Sequence, residues 1–335
     1  MAKRPTKRRA MKIQPAVKTL LFSLPSGAAT STIDLSQCAS IVNRRFYRQG
    51  INWAVSDIKV VSSATVSGAL SVGKLPETWV FSNAWEKGFR AWQKMNRQAL
   101  AEAESVKPKF LDFKIYADDV HHAAGFGANL LPIDFAGAAY GAGTWDSSKF
   151  VIPKTDGTDG VHNREVLAVG ASYPPAGASG LGAVSLIEGY AASRALPYTV
   201  DPNVPDDAFD ADGDNPENWM SALFNEGTTQ DDGVLTDMAT ENNQAPYPYE
   251  GDGTAVDTQY PGGENQAPTL QYHDSAFVTA TTVGGITHMK GGAFPCGLIR
   301  VSSTLTIPEG DSALLQVNLV PGTHRGYLCE PMTEM

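Results

Sequence analysis

Cysteine is scarce in this chain. Cys38, Cys296 and Cys329 are the only three in 335 residues, too few and too scattered for a disulfide framework, and their spacing fits no zinc pattern. A reducing compartment is expected, with at most one bridging pair. Long apolar runs are also missing. No stretch approaches the roughly 18 apolar residues of a membrane span. The apolar run from Thr19 to Leu24 that follows the basic N-terminus is too short for a signal peptide. A soluble protein made inside a cell is the expectation. The familiar catalytic signatures are absent as well: no P-loop, no G-x-G-x-x-G opening a helix, no H-E-x-x-H and no G-x-S-x-G. The residues therefore point away from an enzyme.

Charge of one sign is missing in two places. Residues 1–18 hold seven cations (Lys3, Arg4, Lys7, Arg8, Arg9, Lys12 and Lys18) and no acid. Residues 195–289 hold seventeen Asp and Glu and no Lys or Arg. The whole chain carries −10, so residues 19–335 carry −17. Between the extremes, residues 19–194 are balanced, with sixteen cations against fifteen acids. The tail has Pro5 and Pro15 and almost no apolar residue before Val17, too little to offset the entropy of ordering, so it is expected to be a disordered arm. Its cations can neutralise phosphates without reading sequence, with an affinity that falls as salt rises. The same cluster resembles a nuclear localisation signal. An incidental basic terminus is the plain alternative.

What is present is mostly strand. Ser31–Leu35, Ile51–Val61, Thr65–Val72, Thr78–Phe81, Phe110–Tyr116, Glu165–Val169, Ala183–Ile187, Phe277–Val283, Leu298–Ile307 and Ala313–Val320 have strand composition, and several alternate. In Ile51–Val61 the phase switches near Ser56–Ile58. Trp53, Val55 and Asp57 would share one face and Ile58 and Val60 the other, which predicts a bulge or a sheet corner. Pro308–Asp311 has hairpin-turn chemistry between the last two strands. One helix is predicted over 84–104, capped by Asn83 with Glu86 completing a capping box. Trp85, Phe89, Trp92 and Leu100 read as a core-facing stripe rather than a base-stacking platform, and Lys87, Arg90, Lys94 and Arg97 as a basic, solvated face, with a contact to nucleic acid or a neighbouring subunit as the alternative. Helices do not alternate with strands, which argues against a parallel α/β fold. The expected fold class is all-β: an antiparallel two-sheet β-sandwich, a single jelly roll with long loop insertions and one inserted helix. Two segments follow: an arm over 1–18 and a body over 19–335, the latter with an acidic, loop-rich insertion over 195–276.

Two clusters suggest metal chemistry. Asp118-Asp119-Val120-His121-His122 follows a predicted strand, but adjacent histidines point in different directions and no third ligand is fixed, so a polar strand-end or interface role competes. Asp210, Asp212 and Asp214 take positions one, three and five of a calcium loop, yet position six is Asn215 and position twelve is Ser221, so that register fails. A looser calcium site between subunits and an acidic hydrated loop both stay open; no other cofactor is implied. Tyr247, Tyr249 and Tyr260 would be the platform if the chain were instead a β-sandwich carbohydrate-binding or hydrolase domain.

Three segments carry a resemblance: residues 43–55 (NRRFYRQGINWAV), 74–85 (KLPETWVFSNAW) and 320–327 (VPGTHRGY). With the basic tail and strand-rich body, they are similar to capsid proteins of circular Rep-encoding single-stranded DNA viruses. The resemblance implies a jelly roll, self-assembly into an icosahedral shell, an inward arm on the genome, acidic loops facing outward, and location in the virion and, during assembly, the host nucleus. The implied partners are further copies of the chain, viral single-stranded nucleic acid and a host receptor. A shell of ~60 copies would place ~420 arm charges in one cavity. An RNA genome would suit the same phosphate contacts. The arm is shorter and less Arg-dense than in circovirus capsids. Arg44, Arg45 and Arg48 would line the inner surface or pair with acids at a subunit contact.

Overall fold

The computed structural model describes residues 14–102, 112–153, 161–172, 175–193 and 269–334. In chain order the strands are β1 (Thr19–Ser23), β2 (Gly27–Asp34), β3 (Ile51–Ser62), β4 (Gly68–Lys74), β5 (Lys149–Pro153), β6 (Val161–Leu167), β7 (Ala183–Ser185), β8 (Gln271–Val278), β9 (Ile286–Phe294), β10 (Leu298–Leu305), β11 (Ala313–Leu319), β12 (Pro321–Gly322), β13 (Gly326–Tyr327) and β14 (Cys329–Pro331). The helices are α1 (Leu35–Asn43), α2 (Trp79–Glu102), α3 (Asp119–Ala124) and α4 (Leu186–Ser193).

Two antiparallel sheets face each other across one apolar core. The first runs β1–β11–β3–β9, and β14 takes β11's place beside the first residues of β3. The second runs β2–β10–β4–β8. Alternate residues from both point inward: Leu20 and Phe22, Trp53 and Val55, Leu70 and Val72, Ile299 and Val301, Leu315 and Val317 are all buried in one cluster. The architecture is an all-β antiparallel sandwich, as the alternation predicts.

The phase switch in β3 is a bulge. Asp57 pairs with Asn318 and Val55 with Leu319, leaving Ser56 as the extra residue. The bulge resets the period, so Ile58 and Val60 are buried in the same core as Trp53 and Val55 rather than on an opposite face. On the other flank, Gly291 lies between the residues paired with Val55 and Asp57. A Cβ there would collide with the carbonyl oxygens of Ser56 and Val55. Backbone cannot retreat as a flexible side chain can, so Gly291→Ala is expected to cost about 1–3 kcal/mol. The urea midpoint of unfolding checks this; an unchanged midpoint would show that the bulge yields.

Between β4 and β8 the chain builds a second layer. α2 packs its apolar stripe onto a sheet of β5, β6 and β7 and onto α4, around a separate core that includes Phe81, Trp85, Trp92, Phe113, Phe150 and Ile187. Trp85 stacks on Phe89 at 5.0 Å between ring centroids. Trp85, Phe89 and Trp92 pack in this core, as their spacing predicts, whereas Leu100 is half-buried outside it. On the opposite face Arg90 pairs with Glu86. Four helices are described rather than one.

Several boundaries differ from expectation. Thr78–Phe81 is not a strand: α2 begins at Trp79, five residues before the expected start. The Phe81 amide donates to the Thr78 hydroxyl (3.3 Å), so Thr78 caps the helix in place of Asn83. Val80, Phe81, Ala84 and Trp85 then share the buried face. Phe113 and Ile115 are buried without a regular strand; only Tyr116 bridges, to Leu167. The Ala183 strand ends at Ser185, and Leu186 opens α4. The Pro308–Asp311 turn exists, with the Asp311 amide donating to the Pro308 carbonyl (3.1 Å), but it closes no hairpin. β10 pairs with β2 and β4, whereas β11 pairs with β1 and β3, so the turn carries the chain from one sheet to the other.

Candidate nucleic-acid interface

The last residues of the basic tail do not hang free. The Val17 amide donates to Asn43 Oδ1 (2.9 Å), and the Val17 carbonyl accepts from the Tyr327 hydroxyl (2.6 Å). Asn43 Nδ2 donates to that hydroxyl oxygen in turn (2.7 Å). Lys18 Nζ donates to the Gly326 carbonyl and lies 5.0 Å from the centroid of the Tyr327 ring, within cation–π range. Gly326 (φ 108°) makes this passage possible: a Cβ there would sit 2.6 Å from Ala16 Cβ and 2.8 Å from the Gln14 carbonyl oxygen. Lys18 thus belongs to the folded body, while Lys3, Arg4, Lys7, Arg8, Arg9 and Lys12 lie outside the described residues.

Four arginines surround this root. α1 ends at Asn43, and Arg44 takes a left-handed conformation (φ 53°) that turns the chain into the loop before β3. Arg44, Arg45 and Arg48 are exposed on that loop, and Tyr47 and Gln49, on either side of Arg48, are buried. Tyr47 packs against Trp53 and Tyr327, with ring centroids at 6.0 and 5.4 Å, which fixes the loop to the core. Arg45 Nη1 donates to the Pro15 carbonyl (3.1 Å). Arg325, left-handed at φ 49° in the turn between β12 and β13, donates to the Phe46 carbonyl, and its own carbonyl accepts from the Tyr47 hydroxyl (3.1 Å). Among the described residues no ion pair joins Lys18, Arg44, Arg45, Arg48 or Arg325 to a carboxylate. Their field is felt nearby: burial first, then Arg325 and Arg48, hold His324 below its ordinary pKa. The cluster can meet phosphate oxygens with guanidinium forks and makes no provision for reading bases. Sequence reading marked Arg44, Arg45 and Arg48 but missed Arg325. Its signal was weak: a residue preceding Gly in a tight turn, joined to the others only through the fold.

The Asp118–His122 cluster does structural work between the layers. Asp118 Oδ1 caps α3 by accepting from the His121 amide (2.9 Å) and pairs with Arg300 of β10. His121 Nδ1 accepts from the Ala117 amide (3.0 Å), so Nε2 carries the proton donated to Asn129 Oδ1 (2.8 Å). Burial, then the Arg300 charge, pushes His121 down to about 3, so it is neutral at pH 7. His122 points elsewhere, with Nε2 2.9 Å from Glu165 Oε2 in a fully buried pair. Among the described residues no group of three His, Cys, Asp or Glu is placed to hold a metal ion. Asp210, Asp212 and Asp214, like Tyr247, Tyr249 and Tyr260, lie outside the described residues.

A second buried network lies beneath the arginine loop. Asp34 accepts from the Ser36 amide (2.9 Å), Gln49 Nε2 (3.2 Å) and Trp145 Nε1 (2.9 Å). Asp112 accepts from the Gln49 amide (3.1 Å) and faces Lys114 Nζ at 3.4 Å. Burial pushes Asp112 up to about 6, against the pull of Lys114, and raises Asp34 in the same direction. A carboxyl raised in the folded state stabilises fully below its unfolded value and loses that contribution as pH climbs through the folded one. On the order of 3 kcal/mol is therefore lost from Asp112 between about pH 4 and 6. Asp112→Asn is expected to flatten the melting temperature over that interval; a profile as steep as wild type would assign the titration elsewhere.

No protein-family model, curated protein or solved structure matches this chain. Among the described residues no helix is long and apolar enough to cross a membrane.

Proposed function

We propose that this chain is a viral capsid subunit, a single jelly roll that assembles into a closed icosahedral shell and packages single-stranded DNA through its basic arm. The observation that carries this reading is the strand order. Counting only the eight strands of the sandwich, one sheet reads 1-8-3-6 and the other 2-7-4-5. Two interlocked Greek keys give that order, and virus shells are among the main users of the resulting jelly roll. Five cations around the tail's root support the second half of the reading. They place a fixed positive surface where the remaining six tail cations begin. The role is structural rather than enzymatic. Its partners are further copies of the chain, the genome and a host receptor, and its places are the virion and, during assembly, the host nucleus.

The purified full-length chain should elute as megadalton particles and appear in electron micrographs as uniform shells, with extracted nucleic acid sensitive to DNase. RNase sensitivity instead would transfer the reading to an RNA genome. A monodisperse monomer of 35.7 kDa at every salt concentration and pH tested would overturn it.

A further inference from the structure

Phe135 is the most exposed large apolar side chain among the described residues, at 109%. It stands at the tip of a tight turn built to hold it there. Asp134 Oδ1 accepts from the amides of Ala136 and Ala138, both at 2.9 Å, and the Asp134 amide donates to the Ala138 carbonyl (2.8 Å). Further down, the Tyr140 amide donates to the Pro132 carbonyl (3.0 Å). The foot of the turn is bonded to both sheets, through Ile133 to the Leu21 carbonyl of β1 and Leu130 to the Thr32 carbonyl of β2, each at 2.8 Å. The neighbours Ala136, Gly137, Ala138 and Ala139 are all small, which leaves the ring clear on every side. A solvated phenyl ring on a rigid mount gains nothing in the isolated fold, but binding would not have to order it first.

The outer face of the β2–β10–β4–β8 sheet holds a recess. It has a volume of about 320 Å³ and is lined by Ala28, Thr30, Ala69, Ser71, Ser302 and Thr304 among others. That volume falls at the lower end of the range of small-ligand pockets, about 300–1,000 Å³, which is enough for a phenyl ring. The lining carries no charge. Two of its hydroxyls turn to backbone, Ser71 to the Ser302 carbonyl and Thr304 to the Ala69 carbonyl, which leaves the floor less polar than its composition. Phe277 of β8, opposite Ala69 in register and 76% exposed, stands on the same outer face beside the recess.

We infer that Phe135 of one copy seats in this recess of a second copy, forming a repeated contact between subunits. The inference rests on the self-assembly in the proposed function. Knob and recess are both uncharged, which suits neither nucleic acid nor a strongly charged partner. They lie at different places, one at the edge formed by β1 and β2 and the other on a sheet face. One copy can therefore fill a neighbour's recess while its own recess receives a third copy, a heterologous joint that forms a ring when its rotation closes.

The test uses two single variants in a Cys329→Ser background, Phe135→Cys and Ser302→Cys, with a short bismaleimide. A covalent dimer is expected in the equimolar mixture and in neither variant alone. Phe135→Ala should raise the concentration for half-assembly at least about tenfold with its circular dichroism unchanged. Shells that form without the mixed cross-link, or with the Phe135→Ala variant assembling at the wild-type concentration, overturn this contact and leave the capsid reading standing. A chain that never assembles overturns both.

Discussion

Deleting residues 1–13 is expected to yield particles that assemble but carry no genome. That cut removes six of the seven tail cations and spares the contacts of residues 14–18 with the body. Each cation that neutralises a single-strand phosphate contributes ~0.7 to the slope of log affinity against log salt, so the deletion should flatten that slope by ~4. Fluorescence anisotropy with a labelled single-stranded oligonucleotide gives the slope, and the absorbance ratio of purified particles gives the packaging. An unchanged slope with full particles would mean the arm is not the genome contact. Cutting at 18 instead would confuse the result. It would strip the Val17 carbonyl from the Tyr327 hydroxyl and Lys18 from the Gly326 carbonyl, injuring the fold along with the arm.

Glu165→Ala is the second large effect, a loss of about 3–5 kcal/mol of stability. Both members of the His122–Glu165 pair are buried, so removing the carboxylate takes from the imidazole a contact that solvent is not placed to replace. Burial alone would raise the Glu165 pKa, but hydrogen bonds from His122, Ser147 and Ser179 outweigh it and hold the carboxyl low. Its contribution is present above the unfolded carboxylate value and fades as pH falls through the folded one, the opposite sense to Asp112. Urea unfolding followed by tryptophan fluorescence measures the loss, since α2 and its tryptophans pack in the layer that β6 supports. A change under about 1 kcal/mol would mean that the site relaxes or admits water.

The sandwich was legible in the sequence wherever alternation was clean. β10 and β11 fell where period two put them, and the broken phase at Ser56 located a real bulge. Legibility failed where composition and period disagreed. Trp79-Val80-Phe81 has strand composition, yet those residues form the first turn of a helix because Thr78 caps it and the buried residues repeat at helical spacing. The Pro308–Asp311 turn was visible, but a four-residue turn does not say whether its strands share a sheet. The arginine cluster was half legible. Arg44, Arg45 and Arg48 stand together in sequence, whereas Arg325 joins them only because Tyr47 and Tyr327 pack against each other. The network joining Asp34, Gln49 and Trp145 spans 111 residues and left no local trace.

The bond between the Tyr327 hydroxyl and the Val17 carbonyl spans 310 positions. A ribosome adding about 5–20 residues per second needs about 15–60 s to cover that interval. For nearly all of it, neither Tyr327 nor β11, the partner of β1, exists. The start of the chain must wait, cationic and unmoored, for residues made near the end of translation. The root of the tail is therefore anchored only when the chain is nearly complete: a product truncated before Tyr327 would carry the tail's charge without the bond that holds residue 17.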